Sequence, residues 1–359
     1  MTSSPIRSPA GPRPPSSPDT GSARRGASGI WLFAAGYFAA YAPYTALTKA
    51  VSKGALPFVP RELGGLEILP VSTLASLAGM LVFLTATGWW RHATHHTVFG
   101  ISLPSPTLPT LLSGLATAAI IATTTLSYTF TGTSILLMML LMRGGVLVIA
   151  PIVDLASKRK VRPRAWLALA LSLVALVVAL GDGDNYVLTL PAVADVFVYL
   201  AGYFVRLRLM SKQAKTDDPA VAKRFFVEEQ MVATPAIVGF LALLALVGGS
   251  PALLEIRAGF SSLGSAEALA TTIGIGILSQ GTGIFGALVL LDGRENAFCV
   301  PVNRASSVLA GIVASFLLAW TLGMTPVPTA ERVGAALLVG AIIVLAWPEH
   351  ARGVGAAKR

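Results

Sequence analysis

One apolar stretch of the chain carries a single charge near its middle, Arg143. A positive charge at the centre of a bilayer costs roughly 2.5 to 3.5 kcal/mol on insertion scales, so a water-filled cavity, an acidic partner or an anionic ligand must compensate it. Gly144 and Gly145 follow directly and would let a helix or a substrate approach the backbone closely. Pro151 lacks an N–H and is expected to bend the run. Arg143 is therefore either an anion-facing residue in a transport pathway or a packing residue that snorkels or pairs with an acid.

A second arginine, Arg304, lies in another apolar stretch and is followed by a similar series of small and aliphatic residues. A guanidinium presents five donors in a fixed fork, which suits two oxygens of a phosphate or a carboxylate. Two such forks in one central cavity would repel each other when it is empty. We therefore expect Arg143 and Arg304 to bind an anionic or zwitterionic metabolite and to stabilise an occluded state around it.

Four uncharged residues are further candidates for substrate binding. Asn303 and Gln280 offer neutral hydrogen-bonding groups within apolar stretches. Tyr37 and Tyr203 could line the cavity with amphipathic rings, although packing or interfacial roles are equally open for them.

Acidic residues within the membrane are the candidates for coupling the expected transport to protons. Glu229 and Asp195 are candidates for proton coupling, because a carboxyl inside a membrane can have a raised pKa. For Glu228 and Glu229 the favoured interpretation is instead an interfacial pairing with Arg206, Arg208 or Lys223. Asp154 precedes Lys158 and Arg159, and this spacing predicts an ion pair at a hinge.

The composition is that of a membrane protein. Hydrophobic residues make up 54% of the 359 residues and charged residues 12%, whereas soluble domains contain about 25% charged residues. The mean hydropathy is +0.72. The single cysteine, Cys299, excludes an internal disulfide and a thiolate metal cluster. The histidines near Arg91 have no acidic or cysteine support, so neither a metal nor a cofactor is expected.

Apolar runs of about 20 residues predict an all-α protein with ten transmembrane helices. The predicted spans are 29–50, 67–90, 108–128, 134–156, 164–182, 190–210, 227–248, 268–291, 297–320 and 330–347. Residues 1–28, rich in Pro, Ser, Gly and Arg, predict a disordered tail, and residues 349–359 a second tail.

The distribution of basic residues predicts the orientation. With the N-terminus in the cytoplasm, 20 of the 27 Lys and Arg residues fall on the inner side, 5 on the outer side, and 2 within the membrane. The inner group includes Arg206 and Arg208. This positive-inside pattern explains the net charge of +10 without nucleic acid as a partner, and it places both termini in the cytoplasm. The absence of a recognisable organelle signal favours a bacterial inner membrane.

The two halves of the chain share short matching segments in the same order. Ala35-Gly-Tyr-Phe38 matches Ala201-Gly-Tyr-Phe204, Lys49 matches Lys215, and the stretch after Arg143 matches the stretch after Arg304, at separations of 161 to 166 residues. We therefore divide the chain into five-helix repeats at 29–182 and 190–348. Because five is odd, the repeats must have opposite orientations, an arrangement typical of alternating-access transporters with a site at the midplane.

The stretch from Arg143 through the basic hinge to Trp166 and the following Ala/Leu helix, together with its counterpart from Pro301 onward, resembles the drug/metabolite transporter superfamily. This group includes nucleotide-sugar transporters, triose-phosphate transporters and bacterial metabolite exporters. The resemblance covers roughly residues 30–348 and implies a ten-helix secondary transporter. It also implies that basic residues of the fourth and ninth helices contact anionic substrates. The chain departs from the pattern before the last helix, where a Pro-rich segment replaces the usual acidic residue.

Two other classes are considered. A membrane-embedded enzyme would have the acidic loop beginning at Gly181 as its only candidate motif, and that loop has no histidine nearby. A non-transporting scaffold would not require matched arginines. A non-enzymatic transporter of a small molecule in the lipid bilayer is therefore the preferred function, while substrate identity, direction, coupling and oligomeric state stay open.

Overall fold

The computed structural model of the protein describes residues 20–98, 101–126, 135–179, 189–216, 218–261, 263–323 and 329–346. These residues form eleven α-helices, one 3-10 helix (Trp89–His92) and a hairpin of two short antiparallel strands, β1 (His95–Val98) and β2 (Ile101–Pro104). The helices are α1 (Thr20–Ser52), α2 (Gly65–Ala86), α3 (Leu108–Leu126), α4 (Ile135–Ala156), α5 (Pro163–Ala179), α6 (Leu190–Gln213), α7 (Pro219–Val247), α8 (Pro251–Ser261), α9 (Ala266–Leu290), α10 (Asn296–Leu322) and α11 (Thr329–Ala346).

Five helices within the described residues are long and apolar enough to cross a bilayer: α2, α6, α7, α9 and α10. Shorter apolar segments occupy Leu108–Thr124, Pro163–Ala175 and Arg332–Leu345. Large apolar side chains such as Trp320 and Leu190 are more than four-fifths exposed, which suits a surface in contact with lipid rather than water. The prediction of a predominantly helical membrane protein is confirmed.

A helix overlaps each of the ten apolar spans, but several boundaries differ from the sequence expectation. α1 begins at Thr20, inside the segment expected to be disordered, since a helix once started gains a hydrogen bond for each added residue. α2 ends at Ala86, and the 3-10 helix and hairpin follow it. α8 lies in a segment expected to be a loop, where the buried Ile256 and Gly259 pack it against its neighbours.

Some expectations fall outside the described residues. These are the junction between the third and fourth spans (127–134), the acidic loop (180–188), and the two tails up to residue 19 and from residue 347.

The helices of the two halves pack on each other in a reciprocal way. α1 packs against α9 and α10, while α6, which carries the matching segment, packs against α3 and α4. α2 contacts α9, and α7 contacts α3. α4 contacts α10, α2 contacts α7, and α5 contacts α11. The helices that overlap the predicted spans are α1 to α5 in the first half and α6, α7, α9, α10 and α11 in the second. If each helix is exchanged for the one at the same position in the other half, every contact named above becomes another of these contacts or stays the same.

Glycines permit the closest of these helix contacts. A Cβ at Gly36 would lie 2.6 Å from the Phe285 ring of α9, and one at Gly202 would lie 3.0 Å from Ile120 of α3. A Cβ at Gly114 of α3 would lie 2.5 Å from Val232 of α7. At Gly276 of α9 it would collide with the Ser72 carbonyl of α2 and lie 2.6 Å from the Ala75 Cβ. The α1–α9, α3–α6, α3–α7 and α2–α9 interfaces therefore each depend on a glycine, which has no Cβ, at a point of close approach.

Two buried carboxylates tie helix ends together. Asp154 accepts hydrogen bonds from the Asn296 backbone N (3.0 Å), Asn296 Nδ2 (2.8 Å) and the Ala297 backbone N (2.8 Å), so it caps the N-terminus of α10. The expected hinge ion pair of Asp154 is thus replaced by a cap. Glu228, in α7, accepts five hydrogen bonds from Thr94, Thr107 and Thr110, which fix the hairpin and the start of α3.

Two glycines of α9 provide a matched test of the packing. We expect Gly276→Ala to destabilise the protein by about 1 to 3 kcal/mol, because the new methyl group meets backbone of α2 that cannot move aside. Gly274→Ala adds a methyl group at 3.8 Å from Leu47, an ordinary contact, and should leave stability unchanged or raise it by about 0.5 to 1 kcal/mol. Thermal unfolding in detergent measures both. Equal behaviour of the two variants would contradict the close α2–α9 contact.

Candidate functional site

Arg304 lies on α10 and points at an aromatic ring of α6. Its guanidinium carbon is 4.9 Å from the centroid of Tyr203, a cation–π geometry. Its Nε is buried and has no hydrogen-bond partner in the described part of the chain. Pro301 precedes it by one helical turn inside the same helix. The arginine therefore has donor capacity to spare in an apolar surrounding.

Arg143 lies on α4 and reaches an aromatic residue of α1. Its Nη2 is 3.5 Å from the hydroxyl of Tyr41, a long hydrogen bond. The side chain is partly buried. Each arginine thus has a tyrosine of the same half of the chain as its neighbour, Tyr41 for Arg143 and Tyr203 for Arg304.

Four tyrosines connect the two arginines, and we call Tyr37, Tyr41, Tyr199 and Tyr203 the tyrosine cluster. The rings of Tyr37 and Tyr41 in α1 are 5.4 Å apart, and those of Tyr199 and Tyr203 in α6 are 4.9 Å apart. Tyr37 interacts electrostatically with both arginines, and so does Tyr199. Both charges are therefore near one cluster of phenolic side chains.

Neither arginine is neutralised by a carboxylate in the described part of the chain. The ion pairs within 4.0 Å there join Arg61 to Glu67, Arg162 to Glu295, Arg206 to Glu229 and Arg294 to Asp292. Among the described residues, Arg143 thus does not pair with an acid, which was one alternative to an anion-facing role. Two cations near one aromatic cluster form a site suited to an anion.

Asn303 adjoins the cluster. Its Nδ2 donates to the Gly286 carbonyl of α9 over 3.3 Å, and the residue is 4% exposed. The same glycine lies against Tyr37, because a Cβ there would be 2.9 Å from the Tyr37 ring. Asn303, one residue before Arg304, is therefore linked through Gly286 to the tyrosine cluster.

Gln280 has its polar atoms committed to helix packing. Its Oε1 accepts from Ser76 Oγ at 2.7 Å, and its Nε2 lies 3.6 Å from Met80 Sδ. Both partners belong to α2. The structure thus shows Gln280 in the α2–α9 interface, and its contacts there do not include Arg143 or Arg304.

Glu229 forms an ion pair with Arg206, one of the partners predicted for it, but the pair is buried. Arg206 donates from Nε (2.9 Å) and Nη2 (2.8 Å) to the two carboxylate oxygens. Ser113 and Thr117 of α3 donate to the same carboxylate. Arg206 is 7% exposed and Glu229 is fully buried, so this is an internal connection of α3, α6 and α7, not a boundary contact.

Asp195 lies in a separate crevice between α3, α6 and α7. This crevice has a volume of about 520 Å³ and is lined almost entirely by apolar side chains, among them Leu115, Ile237 and Phe240. Asp195 is 5% exposed, and its carboxylate oxygens have no hydrogen-bond partner among the described residues. The two candidates for proton coupling therefore differ, since Glu229 is paired and Asp195 is not.

Two residues of this region, Tyr41 and Tyr199, were not among the candidates predicted from the sequence. Tyr41 follows Tyr37 by four positions, and Tyr199 precedes Tyr203 by four, so helical spacing places each pair on one face and could have identified them. Arg206 was expected to pair with Glu229 at the membrane boundary, because its position near the end of an apolar run also fits a loop. The burial of the pair depends on how α6 and α7 pack, which neither helix encodes alone.

Comparison with known proteins supports the fold and is silent on function. No protein-family model matches the chain, and no curated protein matches it. A solved structure named "Crystal structure of protein" matches with a TM-score of 0.54 and 15% sequence identity, covering 88% of this chain and 96% of that chain. At this identity the similarity shows a shared fold alone.

The Arg206–Glu229 pair gives a test of the internal electrostatics. Arg206→Met should destabilise the protein by about 3 to 5 kcal/mol, because it leaves the fully buried Glu229 carboxylate without its cation. Combining it with Glu229→Leu should restore most of that stability, since a buried pair replaced by apolar residues is often neutral. Thermal unfolding of the single and double variants measures the difference. If Arg206→Met alone is neutral, the pair does not carry the assigned role.

Proposed function

We propose that the protein is a secondary transporter of a small anionic or zwitterionic metabolite, with Arg143 and Arg304 as its principal substrate-binding residues. The observation that carries this proposal is the pair of arginines beside one tyrosine cluster with no carboxylate within 4.0 Å among the described residues. An unneutralised cation inside an apolar bundle is costly and marks substrate or ion pathways. An anion that bridges the two would offset that cost.

The proposed architecture is a pair of inverted five-helix repeats, with α8 as an addition to the second. Three observations support it: the matching segments, the reciprocal helix contacts, and the placement of the close-contact glycines. Gly36 and Gly202 occur at the same place in the matching segments, and Gly114 and Gly276 are 162 residues apart. The α1–α9 contact at Gly36 corresponds to the α6–α3 contact at Gly202. The α3–α7 contact at Gly114 corresponds in the same way to the α9–α2 contact at Gly276.

The proposed mechanism is alternating access around the arginines. Arg143 belongs to the first half and Arg304 to the second, and their helices α4 and α10 contact each other. An anion held between two guanidinium groups would draw the halves together and remove their mutual repulsion. Rocking of the halves about this ligand would then open the site to alternate sides of the membrane.

The tyrosine cluster and Asn303 complete the proposed site. The tyrosine hydroxyls offer donors and acceptors, and Asn303 lies next to Arg304 and bonds to Gly286 beside Tyr37. Neutral groups of this kind orient a ligand without adding charge. The proposed orientation, with both termini in the cytoplasm, rests on the basic-residue distribution, and the proposed bacterial inner membrane rests on the composition of the N-terminal tail.

Uptake into proteoliposomes tests the proposal. Inorganic phosphate, mono- and dicarboxylates and amino acids are first screened for a rise in unfolding temperature, because a ligand stabilises the state that binds it. For an anion that stabilises the protein, Arg143→Ala and Arg304→Ala should each reduce uptake at low substrate concentration by about 10- to 100-fold, the effect of losing a charge-assisted contact.

Arg332→Ala is the matched control, because this exposed arginine at the start of α11 bonds to Thr329 and lies outside the proposed site. It should leave uptake unchanged. The proposal fails if both site variants remain folded and transport every substrate of the unmodified protein at its original rate.

A further inference from the structure

The crevice between α3, α6 and α7 has features of a binding site of its own, separate from the arginines. It joins Ala118 and Ala122 of α3, Ala194 and Val198 of α6, and Phe240 of α7 around about 520 Å³. That volume lies within the range of about 300 to 1,000 Å³ typical of pockets for small organic ligands. Its rim residues Leu115, Val198 and Phe240 are 40 to 48% exposed, so in the membrane the crevice opens toward lipid.

Asp195 is the one charged residue of this lining in the described part of the chain. Both of its carboxylate oxygens are buried and have no hydrogen-bond partner there. Thr123, the polar neighbour in the lining, donates to Ala119 O (2.8 Å) and Ile120 O (3.1 Å) of its own helix instead. The apolar walls therefore leave the acid unsatisfied, an expensive state that calls for a partner.

The cations of the surrounding helices do not supply that partner. α3 contains no charged residue. Arg206 lies eleven positions further along α6, about 16 Å along the helix axis. It is also held by Glu229 of α7 through two hydrogen bonds. No cation of the described residues lies within 4.0 Å of the Asp195 carboxylate, so a cation from outside the described helices would find it unpaired.

We propose that this crevice binds an ammonium group carried on an apolar body, with Asp195 as the counter-ion. The apolar walls of the three helices would contact the hydrophobic part, and the carboxylate would accept the ammonium N–H groups. The opening toward lipid is the route of entry for such amphiphiles. The ligand is opposite in charge to the anion proposed for the arginines, so the two sites are chemically distinct.

Octylamine and octanol form a matched pair of probes, since both have the same chain and only the amine is charged. Binding is measured by equilibrium dialysis with the full-length protein in phosphatidylcholine nanodiscs. The unmodified protein should bind octylamine about tenfold or more tightly than octanol, and Asp195→Asn should abolish this preference. Glu267→Gln, which removes an exposed acid at the start of α9, is the control and should preserve it.

A second variant keeps the proposal testable if Asp195→Asn does not fold. Ala194 lines the crevice and is exposed, so Ala194→Phe can fill the opening without entering the protein core, and it should weaken octylamine binding while the charge remains. Nanodiscs containing phosphatidylethanolamine distinguish the sources of the ammonium group. Competition with octylamine assigns the site to a lipid amine, and its absence assigns it to free amines.

Equal binding of octylamine and octanol, or an amine preference that survives Asp195→Asn, would overturn the proposal and leave Asp195 as a neutral, protonated carboxyl. Its failure is distinguishable from failure of the transport proposal, because the uptake assay of Arg143→Ala and Arg304→Ala is carried out with Asp195 intact.

Discussion

The energetic cost of positive charge inside an apolar helix bundle is the constraint on which the other features of the site depend. Arg143 and Arg304 lie within the predominantly apolar helices α4 and α10. The described residues offset this cost in part with aromatic faces and hydroxyls, through the tyrosine cluster. A cation–π contact contributes about 2 kcal/mol when desolvated, comparable to the cost of inserting one arginine but without using its hydrogen-bond donors. In the proposal, the buried Nε of Arg304, which has no partner among the described residues, is a donor available to an oxygen anion.

The Arg206–Glu229 pair shows the contrasting solution for a buried arginine. There the carboxylate uses both oxygens, and Ser113 and Thr117 complete the network, so the charges are committed to each other. Such a pair joins helices but has little capacity left for a ligand. Among the described residues, the same bundle therefore contains one arginine paired with a buried carboxylate and two without a carboxylate partner, and in our proposal this difference separates a packing role from a binding role.

Sequence reasoning was most successful where one helix carries its own signal. Each apolar span overlaps a helix, because burial in lipid requires about 20 consecutive apolar residues whatever the neighbours are, although α1 and α7 begin eight to nine residues before their spans. The two arginines were conspicuous for the same reason. Contacts between helices were harder to predict from the sequence. Asp154 has basic residues nearby in sequence but bonds to Asn296 and Ala297, and Gln280 contacts α2 instead of the arginines.

The crevice around Asp195 also could not be predicted from the sequence. The walls of the crevice come from three helices. The sequence of α6 alone does not show that Asp195 lies beside apolar residues of α3 and α7. α8 was missed for a related reason, since eleven residues are too few for a span and its helical state depends on packing against α2 and α7. The reciprocal contacts of the two halves and the matching segments are the observations on which the proposed repeat rests.

The central claim is that Arg143 and Arg304 serve a single anion, and a double-mutant cycle on anion affinity tests it most directly. The dissociation constant of a stabilising anion is measured for the unmodified protein, for Arg143→Ala, for Arg304→Ala and for the double variant. If both guanidinium groups hold one ligand, the losses are not additive, and the coupling between them is about 0.5 to 3 kcal/mol. Additive losses, or a loss confined to one arginine, would contradict a shared site.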